Sequence, residues 1–315
     1  MLQRGLAFGL LLVVALVLVG CPPGAQRRPA IPQEISQGEN QEPRLDVFVV
    51  EDKQIKQFAF EDYVAGVLAG EMRNDWPENA LAAQAILART FALKFIKEKE
   101  SRYEGADIST DIEEAQAWNA AEVNDRVRQA VSRTRGQVLV HRNDFINSWF
   151  HAHAGGRTAT AREGLNWKDR EPPYIRSVDS PDFPQAPPDD ARWTATFTKQ
   201  EVIEALNKIG PRPRDFTSID IVNRGPSGRA IQLRIGNVTV HAADFRIALG
   251  STEMKSTKLT SVRVVGDQVT MSGEGFGHGV GMSQWGAFQM AQDGRSPEDI
   301  VQHYFRNVRV VKMWE

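Results

Sequence analysis

The sequence predicts an α+β fold in a single domain, with a helical N-terminal part and an antiparallel β-rich C-terminal part. Apolar residues recur at helical spacing between residues 60 and 96, and alternating apolar and polar stretches crowd between 217 and 271. The composition agrees: 315 residues, 41% hydrophobic and 25% charged, suffice for one large core or two modest ones.

Taken in order, the chain opens with Met1-Leu2-Gln3-Arg4 and an uncharged run from Leu6 to Val19. A basic tip before a short apolar stretch has the form of an export signal, and the run falls short of the roughly 20 apolar residues of a membrane span. Leu18-Val19-Gly20-Cys21 resembles the lipobox of bacterial lipoproteins, in which the signal is removed and the cysteine lipidated. Cys21 is the one cysteine in the chain. It cannot form an internal disulfide, and lipidation gives it a use in an oxidising compartment. The alternative is an uncleaved signal anchor with an incidental cysteine. The expectation is therefore a signal peptide at 1–20 and an exported, membrane-anchored protein facing the wall or periplasm.

Residues 21–43 are rich in Pro, Gln, Glu, Ser and Gly and read as a tether, which sets the folded domain at 44–315. Leu45 to Val50 alternate as a strand. Phe60–Met72 and Ala80–Ile96 carry helical spacing, and Asp75 stands three residues before Glu78, the spacing of a capping box, with Pro77 tolerated in the first turn. A third helix is expected at 120–134, strands at 137–141 and 145–151, and a Pro- and Asp-rich loop at 172–192. A helix at 199–209 leads into antiparallel strands near 217–223, 229–241 and 259–271, and helices at 283–293 and 297–306 close the chain.

A net charge of −2 with no Lys/Arg block excludes nucleic acid as the natural partner. Three clusters are candidates for chemistry. Gly275 to Gly286 places glycines at alternating positions, a pattern suited to special backbone geometry rather than to a regular element. His278 within it is either a ligand or acid/base, or a cap for its own loop. His151 and His153, two apart on a strand, would point the same way and, with Glu163, could hold zinc; otherwise they hydrogen-bond substrate hydroxyls and amides. Glu71 stands near a helix end beside a turn and a tryptophan. Apolar surroundings raise a carboxyl's pKa, as a general acid at neutral pH requires.

Five segments then resemble, in the same order, the SpoIID/LytB family: EDYVAGVLAGEMRNDWPENALAAQAILARTFAL (61–93), FHAHAGGRTATARE (150–163), PPYIRSVDSP (172–181), SGRAIQLRIG (227–236) and GFGHGVGMSQWGA (275–287). The resemblance implies a single SpoIID-like domain around a glycan cleft. It implies either a lytic transglycosylase acting on peptidoglycan glycan strands freed of stem peptides or an enhancer of an N-acetylmuramoyl-L-alanine amidase. In the enzymatic members the glutamate of an "EM" pair is the acid/base; here that pair is Glu71-Met72. Arg89, His151, Gly155, Gly156, His278, Ser283 and Gln284 carry over as substrate-binding residues. No cofactor is expected: some members bind zinc through histidine and cysteine, but Cys21 lies far from that segment. Ordinary glycosidases use two carboxyls. A lytic transglycosylase can work with one, which protonates the leaving oxygen and then takes the proton of the sugar's own primary hydroxyl.

Overall fold

The computed structural model describes residues 28–210, 213 and 215–315. The expected signal and Cys21 lie outside the described residues. β1 (Arg44–Val49) pairs antiparallel with β2 (Gln54–Ala59), and the chain turns into α1 (Phe60–Glu71) and α2 (Glu78–Glu98). β3 (Ile108–Ser109) joins β1 in parallel. A 3-10 turn (Ala120–Glu122) and α3 (Asp125–Arg133) lead to β4 (Gln137–His141), β5 (Asp144–Phe145) and β6 (Phe150–His151). Two short helices follow, α4 (Ala161–Leu165) and α5 (Pro188–Ala191).

The second part runs through β7 (Arg192–Thr198), α6 (Lys199–Ile209), β8 (Ile219–Arg224), β9 (Ala230–Ile235), β10 (Val238–His241), α7 (Ala242–Leu249), β11 (Leu259–Val265) and β12 (Gln268–Glu274). It forms two antiparallel three-stranded sheets, ordered β10-β9-β8 and β11-β12-β7. Trp193, Phe197, Leu206, Leu233, Phe245 and Met271 build a core for this part alone. β13 (Met282–Ser283), α8 (Gln284–Gln292), α9 (Pro297–Tyr304) and β14 (Arg309–Lys312) then carry the chain back onto the first core. There β14 pairs with β4, and β13 runs parallel to β6. The predicted mixed α+β class holds. Among the described residues no helix is long and apolar enough to cross a membrane.

Local chemistry explains several boundaries. α6 and α9 start on capping boxes, Thr198 with Glu201 and Ser296 with Asp299. The Asp75–Glu78 box expected from spacing does not form. Pro77 is the residue preceding α2, and both carboxylate oxygens of Asp75 accept from the Arg73 guanidinium instead, at 3.2 and 2.9 Å. The expected strand at 145–151 is broken in two, with Ser148 turned inward so that its hydroxyl donates to Leu87 O. Upstream of Arg44, Ile35 is 1% exposed in the main core and its carbonyl accepts from Arg44 N–H. The part of the expected tether from residue 28 onward therefore packs on the domain, through the few apolar residues that its composition contains.

Candidate active site

Glu71 is the last residue of α1, whose Val64, Val67 and Leu68 are buried in the main core. One face of this helix carries Gly66 and Gly70, a turn apart, and the segment Ala117–Asn119 lies directly on them. A Cβ at Gly70 would stand 2.6 Å from Trp118 N, and one at Gly66 would stand 2.1 Å from the Trp118 indole nitrogen. Asn119 N–H donates to Gly66 O at 2.9 Å. This close approach brings Ala117 N–H within 2.8 Å of Glu71 Oε1.

Burial pushes the Glu71 carboxyl up to about 7, against an ordinary value of 4.5, while the Ala117 hydrogen bond opposes the shift. Its place at the negative end of the helix dipole also disfavours the charged form. The group therefore keeps its proton below about pH 7 and is still partly protonated near it, which suits a proton donor at neutral pH.

Glu71 opens onto a cleft of about 690 Å³. Ala69 to Asp75 form one wall, and Ala121 to Asn124 form the other. Arg73 and Asp75 also line an adjoining cavity of about 380 Å³, whose apolar wall is Trp76, Trp285 and Phe288. The Trp76 and Trp285 rings lie 4.5 Å apart, and the Trp285 indole donates to Asp190 Oδ2 at 3.1 Å. Gln284 Nε2 donates to the Glu71 carbonyl oxygen at 3.0 Å. The C-terminal glycine-rich segment thus reaches Glu71 through Gln284, at the start of α8, while Trp285 lines the adjoining cavity.

The other residues expected to line the cleft have different partners. Arg89 is fully buried: its guanidinium pairs with Glu61 at 2.6 Å and donates to Gln137 O at 2.9 Å. Glu61 also accepts from Gly136 N–H and the Trp314 indole, so this cluster ties α1 and α2 to the returning C-terminus. Ser283 is fully buried; its hydroxyl donates to Asp182 Oδ1 at 2.5 Å and caps α8 by accepting from Gly286 N–H. Asp182 Oδ2 accepts from Gly156 N–H at 2.8 Å, and Ser180, bonded to Tyr304, donates to Oδ1. Gly155 N–H donates to His153 Nδ1 at 2.9 Å, and Lys258 Nζ donates to Gly155 O.

His278 accepts Val280 N–H on Nδ1 at 3.0 Å, which is the loop-capping role left open by its sequence. Burial first, then the nearby Arg246 and Arg229 charges, push His278 down to about 3. His151 bonds Val280 O through Nδ1 at 3.1 Å, and burial and His278 hold it well below its usual range. Both rings are neutral at pH 7, so neither supplies a proton there. The glycines are required by close approach: a Cβ at Gly281, where φ is +74°, would stand 1.9 Å from Trp149 O. At Gly279 it would meet the Arg229 guanidinium at 2.4 Å.

Glu163 does not join His151 and His153. It closes the capping box of α4 with Thr160 and accepts from Ser227 Oγ at 2.5 Å and from Arg229 N–H at 3.2 Å. Among the described residues no group of three His, Asp or Glu side chains is placed to hold a metal ion. Sequence reasoning missed Asn74, Ala117 and Glu122, which shape the cleft around Glu71. Asn74 and Glu122 meet from segments 48 residues apart, a pairing no local pattern signals.

A family model described as stage II sporulation protein (SpoIID) matches residues 51–141, and one described as a domain of unknown function (DUF8618) matches residues 177–281. An uncharacterized protein of Brachyspira hyodysenteriae is 33% identical over 262 residues, 82% of this chain and 68% of that protein. Stage II sporulation protein D of Bacillus amyloliquefaciens is 30% identical over 280 residues, 84% of this chain and 78% of that protein. The amidase enhancer of Bacillus subtilis is 26% identical over 292 residues, covering 76% of this chain and 39% of that longer protein.

Proposed function

This chain belongs to the SpoIID family, and from that premise we propose that it is a peptidoglycan lytic transglycosylase with Glu71 as general acid/base. One observation carries the reading: a carboxyl held at about 7 by burial stands in a cleft of about 690 Å³. In that protonation state Glu71 donates to the oxygen between MurNAc and GlcNAc as the C1–O bond breaks. The C6 hydroxyl of the same MurNAc then closes on C1, its proton passes to the Glu71 carboxylate, and a 1,6-anhydro end forms without water. Gln284 holds the backbone carbonyl of Glu71 from the far end of the chain, which fixes the end of α1 that carries the acid.

Lipidated Cys21, after removal of residues 1–20, would hold the enzyme at a membrane surface facing the wall. Mass spectrometry of membrane-extracted protein decides this, and an intact Met1 rules it out.

The likeness to an amidase enhancer supports a second reading, in which the same cleft binds glycan and the protein stimulates an N-acetylmuramoyl-L-alanine amidase without cutting. Digestion of stem-free glycan strands, with products identified by mass spectrometry, separates the two. The transglycosylase reading expects anhydro-muramoyl ends from wild type and none from Glu71→Gln. The enhancer reading expects no such ends from either, with both proteins stimulating an amidase equally.

A further inference from the structure

The cavity that adjoins the Glu71 cleft takes no part in the proton transfer, yet its lining is chemically selective. It shares Arg73 and Asp75 with the cleft, so a glycan held at Glu71 has this cavity beside it. One side is an apolar wall of fixed shape. Trp76 and Trp285 are 6% and 7% exposed, and the Phe288 ring lies 5.1 Å from the first and 5.4 Å from the second. The Trp285 indole N–H is committed to Asp190, which locks that ring.

The other side is charged, and its charges do not cancel. Two guanidiniums, Arg73 and Arg126, and one carboxylate, Asp75, line the cavity. The Arg73 fork donates to both oxygens of Asp75, which pairs those two charges. Asp75 is held below its usual range by the Arg73 hydrogen bond first and by the Arg126 charge last, so Arg126 is within electrostatic reach without joining the pair. Exposed in the first turn of α3, Arg126 has no ion-pair or hydrogen-bond partner among the described residues. One positive charge is therefore in excess, across from an apolar wall.

MurNAc differs from GlcNAc by one substituent, a lactyl ether on the C3 oxygen that carries a methyl group and a carboxyl. In a stem-free strand that carboxyl is an anion; where a stem peptide is attached it is an uncharged amide. We propose that the cavity is a MurNAc subsite in which Arg126 receives the free lactyl carboxylate while the lactyl methyl packs on the wall of Trp76, Trp285 and Phe288. The proposal rests on the glycan-cleft reading, in its cutting or its enhancing form. It makes Arg126 the residue that sets a preference for stem-free strands: a guanidinium binds a carboxylate through charge-assisted, often bidentate hydrogen bonds, and an amide offers it neither the charge nor the second oxygen.

The test is calorimetric titration of Glu71→Gln protein, which does not cut, with short stem-free oligosaccharides and with the same oligosaccharides whose lactyl carboxyl has been converted to the methylamide. At low salt the free acid should bind about tenfold more tightly, the contribution of one hydrogen bond to a charged group, and high salt should erode that preference because the site is open to solvent. Adding Arg126→Gln should weaken binding of the free acid alone and bring the two Kd values within about twofold of each other, with the melting temperature unchanged. Arg126→Lys should retain part of the preference, as a point charge without the fork. A double variant that keeps the tenfold preference overturns the proposal, as does a Glu71→Gln protein that shows none. Failure to bind either oligosaccharide overturns the glycan-cleft reading and this subsite with it. Absence of anhydro ends from wild-type digestion removes the transglycosylase reading only, and the Arg126 titrations still decide the subsite.

Discussion

Replacing Glu71 by glutamine should stabilise the protein increasingly as pH rises above about 4.5, with the full effect above about pH 7. The folded protein holds this carboxyl at about 7, whereas the unfolded chain ionises it at its ordinary 4.5. Between these values the native state keeps a proton that the unfolded state has released, so stability falls as pH rises and levels off above 7. At about 1.4 kcal/mol per pH unit, the full penalty is about 3 kcal/mol. Water in the cleft screens part of the charge, which brings the expected figure nearer 2 kcal/mol. The glutamine side chain would be isosteric, neutral at every pH, and still able to accept from Ala117 N–H. Urea unfolding followed by tryptophan fluorescence should show the two proteins within about 0.5 kcal/mol at pH 4, where both carry a neutral group at this site. At pH 8.5 the variant should be more stable by about 2 kcal/mol. A difference independent of pH, or a variant less stable at pH 8.5, would refute the claim that Glu71 is destabilised by burial.

Removing the Arg89 guanidinium with Arg89→Met should cost about 3–5 kcal/mol, because Glu61 is left buried without its cation; turnover per folded molecule should change little, as kinetics normalised to folded fraction will report. Gly70→Ala forces its methyl into the 117–118 backbone at 2.6–2.7 Å. It should destabilise by about 1–3 kcal/mol and, by displacing Ala117 N–H, move the basic limb of activity to higher pH. Ser283→Ala should cost about 1–2 kcal/mol through loss of the α8 cap and the Asp182 bond, measured by chemical denaturation. His278, held at about 3, stabilises the fold fully above its ordinary 6.5, and that contribution should fade as pH falls from 6.5 toward 3; His278→Gln should flatten this part of the pH–stability curve.

The helices that carry the site were legible because their signals are local. The apolar spacing of 60–72 and 80–96 foretold α1 and α2, and the patterns at 199–209 and 297–306 foretold α6 and α9. What failed depended on partners that spacing alone does not reveal. Asp75 had the spacing of a cap, but Arg73 competes for it from two residues away. Arg89 matches a family position and reads as a ligand for substrate until Glu61, Gly136 and Trp314 are seen to close around the pair. Ser283 reads as a cleft residue until Asp182, 101 residues earlier, accepts its hydroxyl. The small residues Gly66 and Gly70 were visible on one helix face, yet the sequence does not say which segment would lie across them. The Glu71 microenvironment follows from that crossing: Ala117 supplies the hydrogen bond, and the packed segment takes the carboxyl partly out of water.

The claim that burial keeps Glu71 protonated for its work is tested most directly by the pH dependence of kcat/KM for anhydro-end formation. Activity should fall along a basic limb centred near pH 7, set by ionisation of this carboxyl. A rate that stays level or rises between pH 7 and 9 would contradict the assignment of Glu71 as the acid.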